Sequence, residues 1–499
     1  MWRKILNGAW FGLGRFGFLA LIAMFIGQLA CSHSALKPPA PRLVLVYATC
    51  SLNKNYLAAY DPRIIYTPHI RAFAQRARIF SRHQTEEGQS GIAFASLWTG
   101  TQAMHHGIYA HPEILDSSNF LMAEAFAEQG YETYLWDRHP MASASLNYGQ
   151  GVNQINVKER MLEASDPEFV AILEKLNDDP RNRAFIMTNH TVSHSPYSQD
   201  RLRTFYDQYP EECRGVSWSD IEKFGQLFAK DYYSLSTNFD DTVARLRCSP
   251  TEVKQLISVI ELAYMSRVNY LDELFGDVVE VIAKAGLLDQ SIIVFTSDHG
   301  ELLYRKNVPF KWWHGFLLAP EDLSIPLMIR GPGIMPGKYE HVTRSIDVFP
   351  TVAGLSGFRI SSRRVMGVNL SSQLQQGAKE PALVAYSHTS LLPKPYLLLL
   401  PDLGIEHISV AAREGDIVYK LRWLSGNREA QSEVFDWSID PEENHNLFDP
   451  TNRHHRTMVD NLKSYKSELV RAYFKLQNKQ SLLPDKERIE RLRSLGYIK

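Results

Sequence analysis

The sequence has few cysteines, no excess of either charge, no internal repeat and, beyond its N-terminal segment, no long apolar run. Four cysteines in 499 residues exclude a disulfide-stapled scaffold and a zinc-finger array. Fifty-four basic against 55 acidic side chains leave a formal charge of -1, so the basic surplus of a nucleic-acid binder is missing. No low-complexity tract occurs, and 44% hydrophobic with 11% aromatic residues can build a sizeable core. These absences leave a globular chain, an enzyme or the relic of one, long enough for two to four domains or one large α/β unit with an appendage.

The N-terminus does carry an apolar run. Arg3, Lys4 and Arg15 precede Phe16 to Ile26, followed by Gln28-Leu29-Ala30-Cys31. Positive charges, a short apolar stretch and a small residue before cysteine match a bacterial lipoprotein signal, with Cys31 as the lipidated first residue. Gln28 departs from the aliphatic residue usual there. The alternative is an uncleaved anchor over Ala9 to Ala30, with Arg15 snorkelling. Either way the body is expected outside the cytoplasm and attached to a membrane, in the periplasm or at the outer membrane. Residues 1–31 are then targeting segment, and 32–41, with Pro38, Pro39 and Pro41, a semi-rigid tether.

From residue 42 the pattern predicts alternating strands and helices. Leu43 to Tyr47 and Ser291 to Phe295 are continuous apolar runs, as needed by strands buried on both faces. Thr67-Pro68 opens a helix, Tyr270 to Ile282 repeats at helical spacing, and Ile325 to Ile329 reads as another strand. Alternation of this kind means a doubly wound, mostly parallel sheet over 42–379, with functional groups at the strands' carboxyl ends. Residues 201–250 read as a helical insertion, and 380–499 as a small β-rich subdomain with a helical tail.

The order of several motifs resembles the sulfatases of the alkaline phosphatase superfamily. They are Thr67-Pro68-His69-Ile70, Ala95-Ser96-Leu97-Trp98-Thr99-Gly100, His106-Gly107, His194-Ser195-Pro196-Tyr197, Thr296 to Glu301, Ile325 to Ile329 and Asp347 to Thr351. Val434-Phe435-Asp436, Asp440-Pro441, Asn446-Leu447 and a terminal Leu-Gly-Tyr follow. The resemblance implies an alkaline-phosphatase-like fold and hydrolysis of sulfate esters. Such enzymes use formylglycine, made from the first residue of Cys/Ser-x-Pro-x-Arg, and that position falls on Ser90. Ile92 and Phe94 replace the proline and arginine, so formylglycine at Ser90 is not expected, and an anion-stabilising charge is lost.

The resemblance also implies a divalent metal held by Asp298 and His299. The family's further acidic ligands, just after the first strand, become Cys50 and Ser51. A set of Cys50, Asp298 and His299 favours a zinc-like ion over calcium; the bland alternative makes Cys50 a buried small hydrophobe. His194 and His314 match substrate-contacting loop positions, with acid–base roles, and Lys311 lies near the family's sulfate-binding lysine. Three functions follow: a diverged sulfate- or phosphate-ester hydrolase acting on an anionic ester or sulfated glycan, an inactive pseudo-sulfatase serving as an anchored binding module, or a phospho-group transferase. No nucleic-acid partner is expected. The pairing of Cys213 with Cys248 stays open.

Overall fold

A computed structural model of the chain describes residues 40–306, 308, 310–389, 407–423, 430–476 and 485–494. Cys31, the rest of the targeting segment and the terminal Leu495-Gly496-Tyr497 lie outside these residues. The body, 41–499, forms one compact unit. Its main sheet has eight strands: β1 Leu43–Thr49, β2 Arg78–Gln84, β3 Glu132–Asp137, β4 Val157–Lys158, β5 Ala184–Asn189, β6 Ser291–Ser297, β7 Leu327–Arg330 and β8 Gly337–Arg344. They lie in the order β4-β3-β5-β1-β6-β7-β2-β8. All pairings are parallel except those of β7 with β6 and β2. The expected doubly wound, mostly parallel architecture is thus observed.

Strand alternation divides the core in two. Leu43, Leu45 and Tyr47 of β1 pack with Ile293 and Phe295 of β6 on one face. Val44, Val46 and Ala48 pack with Ile292 and Val294 on the other. Both faces are covered by helices, which is why these strands read as unbroken apolar runs. Four further strands, β9 Ala385–His388, β10 Val410–Glu414, β11 Ile417–Arg422 and β12 Gln431–Asp436, form a separate antiparallel sheet.

Some local expectations shift. Thr67 precedes the Pro68–Ala74 helix but does not cap it; its hydroxyl accepts the Ala58 N–H at 2.8 Å instead. The helix read from Tyr270 starts at Pro250 and runs to Lys284, its first turn closed by a capping box of Ser249 and Glu252. Residues 201–250 are indeed largely helical, as Leu202–Gln208, Trp218–Thr237 and Phe239–Arg245. Cys213 and Cys248 are both free thiols. No helix among the described residues is long and apolar enough to cross a membrane.

Candidate active site

Register brings the site together. Thr49 and Ser297 are partners in neighbouring parallel strands, so the residues that follow, Cys50 and Asp298-His299, leave the sheet side by side. Asp137 at the end of β3 partners Asn189 at the end of β5, which delivers His139 and the 190–197 loop to the same edge. Ser90 follows β2, which runs parallel to β6 because β7 is antiparallel to both, so the first residue of the Ser90–Thr99 helix is delivered to the same edge. Gly88 and Gly315 let two loops close over it. A Cβ on Gly88 would sit 2.7 Å from the Gly315 nitrogen, so no side chain fits there, and the approach carries His314 inward.

The resulting pocket is buried. The Ser90 hydroxyl stands 3.1 Å from His299 Nε2 and 3.3 Å from Cys50 Sγ. Cys50 Sγ also meets Ser51 Oγ at 3.3 Å, His139 Nε2 at 3.3 Å and His299 Nε2 at 3.7 Å. The His299 ring lies 4.3 Å from that of His314, which lies 5.2 Å from that of His194. Glu301 contacts Nδ1 of His314 at 3.3 Å. Ser90, Cys50, Asp298, His299, His194 and His314 therefore share one pocket.

Lys311 does not join them. Its ammonium donates to the carbonyls of Lys306, at 3.1 Å, and Val308, over the Tyr304 ring. The following residue, Trp312, has a positive φ of 50° that turns the chain there. Trp98, Trp312 and Trp313 are buried in the core.

His139 is the residue that sequence reasoning missed. Its signal was available: it stands two positions beyond the end of a buried parallel strand, where such sheets carry their chemistry. Its ring packs against Phe94 at 5.6 Å, so the phenyl group at the resemblance's arginine position forms the wall behind the imidazole.

Tautomers follow from the backbone. His299 Nδ1–H donates to the Gly300 carbonyl at 2.7 Å, leaving the Nε2 lone pair facing Ser90 and Cys50. His139 is the reverse: its Nδ1 accepts the Met141 N–H at 3.1 Å, so the neutral ring keeps its proton on Nε2 and donates it to Cys50 Sγ. Burial pushes His194, His299 and His314 down to about 3 and His139 well below its ordinary value. It raises the Asp298 and Glu301 carboxyls and the Cys50 thiol. At neutral pH, then, no charged histidine stands beside the Ser90 hydroxyl.

A metal ion would change that balance. Cys50, His139 and Asp298 place ligand atoms within 4.8 Å of one another, so a Cys–His–Asp cluster could hold one. Asp298 Oδ1 accepts the N–H groups of Ser51 and His299, while Oδ2 is buried without a hydrogen-bond partner among the described residues. That orphaned oxygen lies 3.5 Å from His299 Nε2. Tetrahedral bonds of about 2.0–2.3 Å put ligand atoms roughly 3.3–3.8 Å apart, a range that includes the 3.5 and 3.7 Å seen for Asp298–His299 and Cys50–His299. The tautomer removes His139 from the set, because its Nε2 carries a proton. Calcium, which takes six to eight oxygen ligands, does not fit one carboxylate, one thiol and one imidazole.

Comparison with known proteins bears on the family. The sulfatase family profile matches residues 43–358, which contain every pocket residue named above. The chain belongs to the sulfatase family. It is 25% identical over 405 residues to a choline-sulfatase of Rhizobium meliloti, covering 69% of this chain and 74% of that protein. An ulvan-active sulfatase of Formosa agariphila is 24% identical over 336 residues, 65% of this chain and 63% of that one. Among solved structures, BT4656 in complex with its substrate D-glucosamine-2-N,6-O-disulfate superposes with a TM-score of 0.66 at 17% identity, covering 86% of this chain and 98% of that chain. A phosphonate monoester hydrolase from Silicibacter pomeroyi gives 0.60 at 17%, covering 87% and 95%. At these identities the structural likeness is one of fold. Within the sulfatase fold, this chain has Ile92 and Phe94, both fully buried, two and four residues beyond Ser90.

Proposed function

We propose that this sulfatase-family chain hydrolyses sulfate esters with the unmodified Ser90 hydroxyl, at a zinc-type site held by Cys50, Asp298 and His299. The observation that carries the reading is the orphaned Asp298 oxygen beside His299 Nε2, with Cys50 Sγ and Ser90 Oγ also against that ring, in one buried cluster. When bound, the ion supplies the positive charge that the residues lack and lowers the pKa of a neighbouring hydroxyl.

The chain's own residues do the rest. Ser90, held at the helix N-terminus, attacks sulfur as its proton passes to His194 or His314 and the ester's S–O bond breaks; water then attacks the sulfated serine, releasing sulfate and a proton and restoring the hydroxyl. His194 or His314 delivers the proton to the leaving oxygen, since an anionic ester beside them favours the charged ring that burial disfavours. Sulfate esters as the substrate class are supported by the named choline- and ulvan-active relatives and by the neighbour bound to a disulfated glucosamine. Envelope location rests on the N-terminal charges, apolar run and Cys31 alone, and a Cys31→Ser variant that stays membrane-bound at unchanged mass would favour the anchor instead.

Loss of the proline and arginine favours a second reading, an inactive binding module. Turnover of 4-nitrophenyl sulfate by the zinc-loaded protein, with mass spectrometry of the Ser90 peptide, separates them. Turnover with an unmodified serine is expected. An aldehyde at Ser90 restores the formylglycine mechanism, and absence of turnover with zinc bound leaves the binding module.

A further inference from the structure

The Asp485–Ser494 helix sends one side chain to the loop that carries His139. Arg491 Nη1 donates to the Pro140 carbonyl at 2.6 Å and to Ser143 Oγ at 3.1 Å. Its Nη2 donates to Ser145 Oγ at 2.8 Å and to Glu487 at 2.9 Å, and its Nε to Glu487 at 3.3 Å. These contacts employ all five N–H donors of the guanidinium, a planar fork that lysine cannot imitate.

The Pro140 carbonyl and the Met141 N–H belong to one peptide unit. Arg491 holds its oxygen while its N–H donates to His139 Nδ1 at 3.1 Å. A charged donor on the carbonyl also polarises the amide and strengthens its N–H bond. The start of the loop is fixed separately, by the Arg138 N–H on Asn189 at 2.7 Å and the Ala144 N–H on Asp137 at 2.7 Å. We infer that Arg491 is a positioning residue: by gripping the Pro140–Met141 peptide it sets the orientation and tautomer of His139, so that Nε2–H points at Cys50. This role is independent of whether the pocket holds a metal or turns over sulfate.

The test uses the full-length chain with Arg491→Ala and Arg491→Lys, and Lys486→Ala, an exposed change on the same helix, as control. Selective ¹⁵N labelling of histidine, with His139→Gln for assignment, reads the tautomer; hydrogen exchange reads the Met141 amide. Wild type and Lys486→Ala should show a single His139 tautomer protonated at Nε2. Both Arg491 variants should give a tautomer mixture and exchange Met141 at least tenfold faster, while β3 and β5 stay protected. If Arg491→Ala does not fold, Arg491→Lys decides alone. A wild-type ring protonated at Nδ1, or an unchanged tautomer in a folded Arg491 variant, overturns the inference.

Discussion

The turn after β6 and the start of the Ser90–Thr99 helix face each other across 3.1 Å, yet they have kept different amounts of the sulfatase pattern. The turn retains Ser297-Asp298-His299-Gly300-Glu301, with Asp298 Oδ1 fastened by two N–H groups and His299 Nδ1 by a carbonyl. The helix start has a hydroxyl at Ser90 but carries Ile92 and Phe94 where the pattern has proline and arginine, Phe94 packing against Trp98 and His139. A strand end is constrained by sheet register, whereas a side chain lining a pocket can be exchanged for an apolar one if the neighbouring core accepts it. Asp298 and His299 match the family pattern, whereas Cys50 and Ser51 stand where it has acidic residues and Phe94 where it has an arginine.

Removing the retained half should have the largest effect. Asp298→Ala takes away the only carboxylate among Cys50, Asp298, His299 and Ser90, and kcat/KM on an aryl sulfate should fall by about 10³ or more. Activity within tenfold of wild type would make the turn dispensable. On the other side, Ser90→Ala should lower kcat by about 10³ with little change in circular dichroism. An active Ser90→Ala enzyme would mean that another group attacks sulfur.

Restoring the lost half is the converse experiment. Phe94→Arg puts a guanidinium where a fully buried phenyl ring packs on Trp98 and His139. An unpaired buried charge should cost about 3 kcal/mol or more, read as a lower denaturation midpoint. A stable, more active Phe94→Arg variant would show that the pocket still has room for the arginine.

A smaller effect concerns buried histidines away from the pocket. His83 and His190 are held neutral by burial, their pKa values pushed down to about 3 from 6.5. Below pH 6.5 the unfolded chain binds protons that the folded chain refuses. Their neutral burial therefore costs nothing above pH 6.5, and stability is lost as pH falls from 6.5 toward 3. Each contributes about 1.4 kcal/mol per pH unit in that window. His83→Gln should flatten the pH dependence of urea midpoints between pH 6 and pH 4 by that amount. An unaltered slope would place His83 in a hydrated setting.

Legibility followed the same division. β1 and β6 were readable because strands buried on both faces leave unbroken apolar runs; Asp298 and His299 stand at the end of one of them, and it was the family resemblance that marked them and Cys50 as ligand positions. β2, Arg78-Ile79-Phe80-Ser81-Arg82-His83-Gln84, was not, since its register slips between Phe80 and Arg82 and its polar residues hide the alternation. The capping box at Ser249 and Glu252 was present in the sequence, but reading Pro250 as the end of an insertion obscured it. His139 was missed although it stands two residues beyond the end of β3; the parallel pairing of β3 with β5 brings it to the site. Lys311 was placed by sequence offset, and the left-handed Trp312 turn sends the chain elsewhere.

Metal content tests the central claim most directly. Wild type, Cys50→Ala, Asp298→Ala and His139→Gln, purified in parallel and analysed by inductively coupled plasma mass spectrometry, should divide cleanly. About one zinc-type ion per chain is expected in wild type and in His139→Gln, whose ring is a donor to Cys50 and not a ligand, with loss in Cys50→Ala and Asp298→Ala. Calcium in the wild type, retention of the ion by Cys50→Ala, or no metal in any variant would contradict the assignment of Cys50, Asp298 and His299 as a zinc-type site.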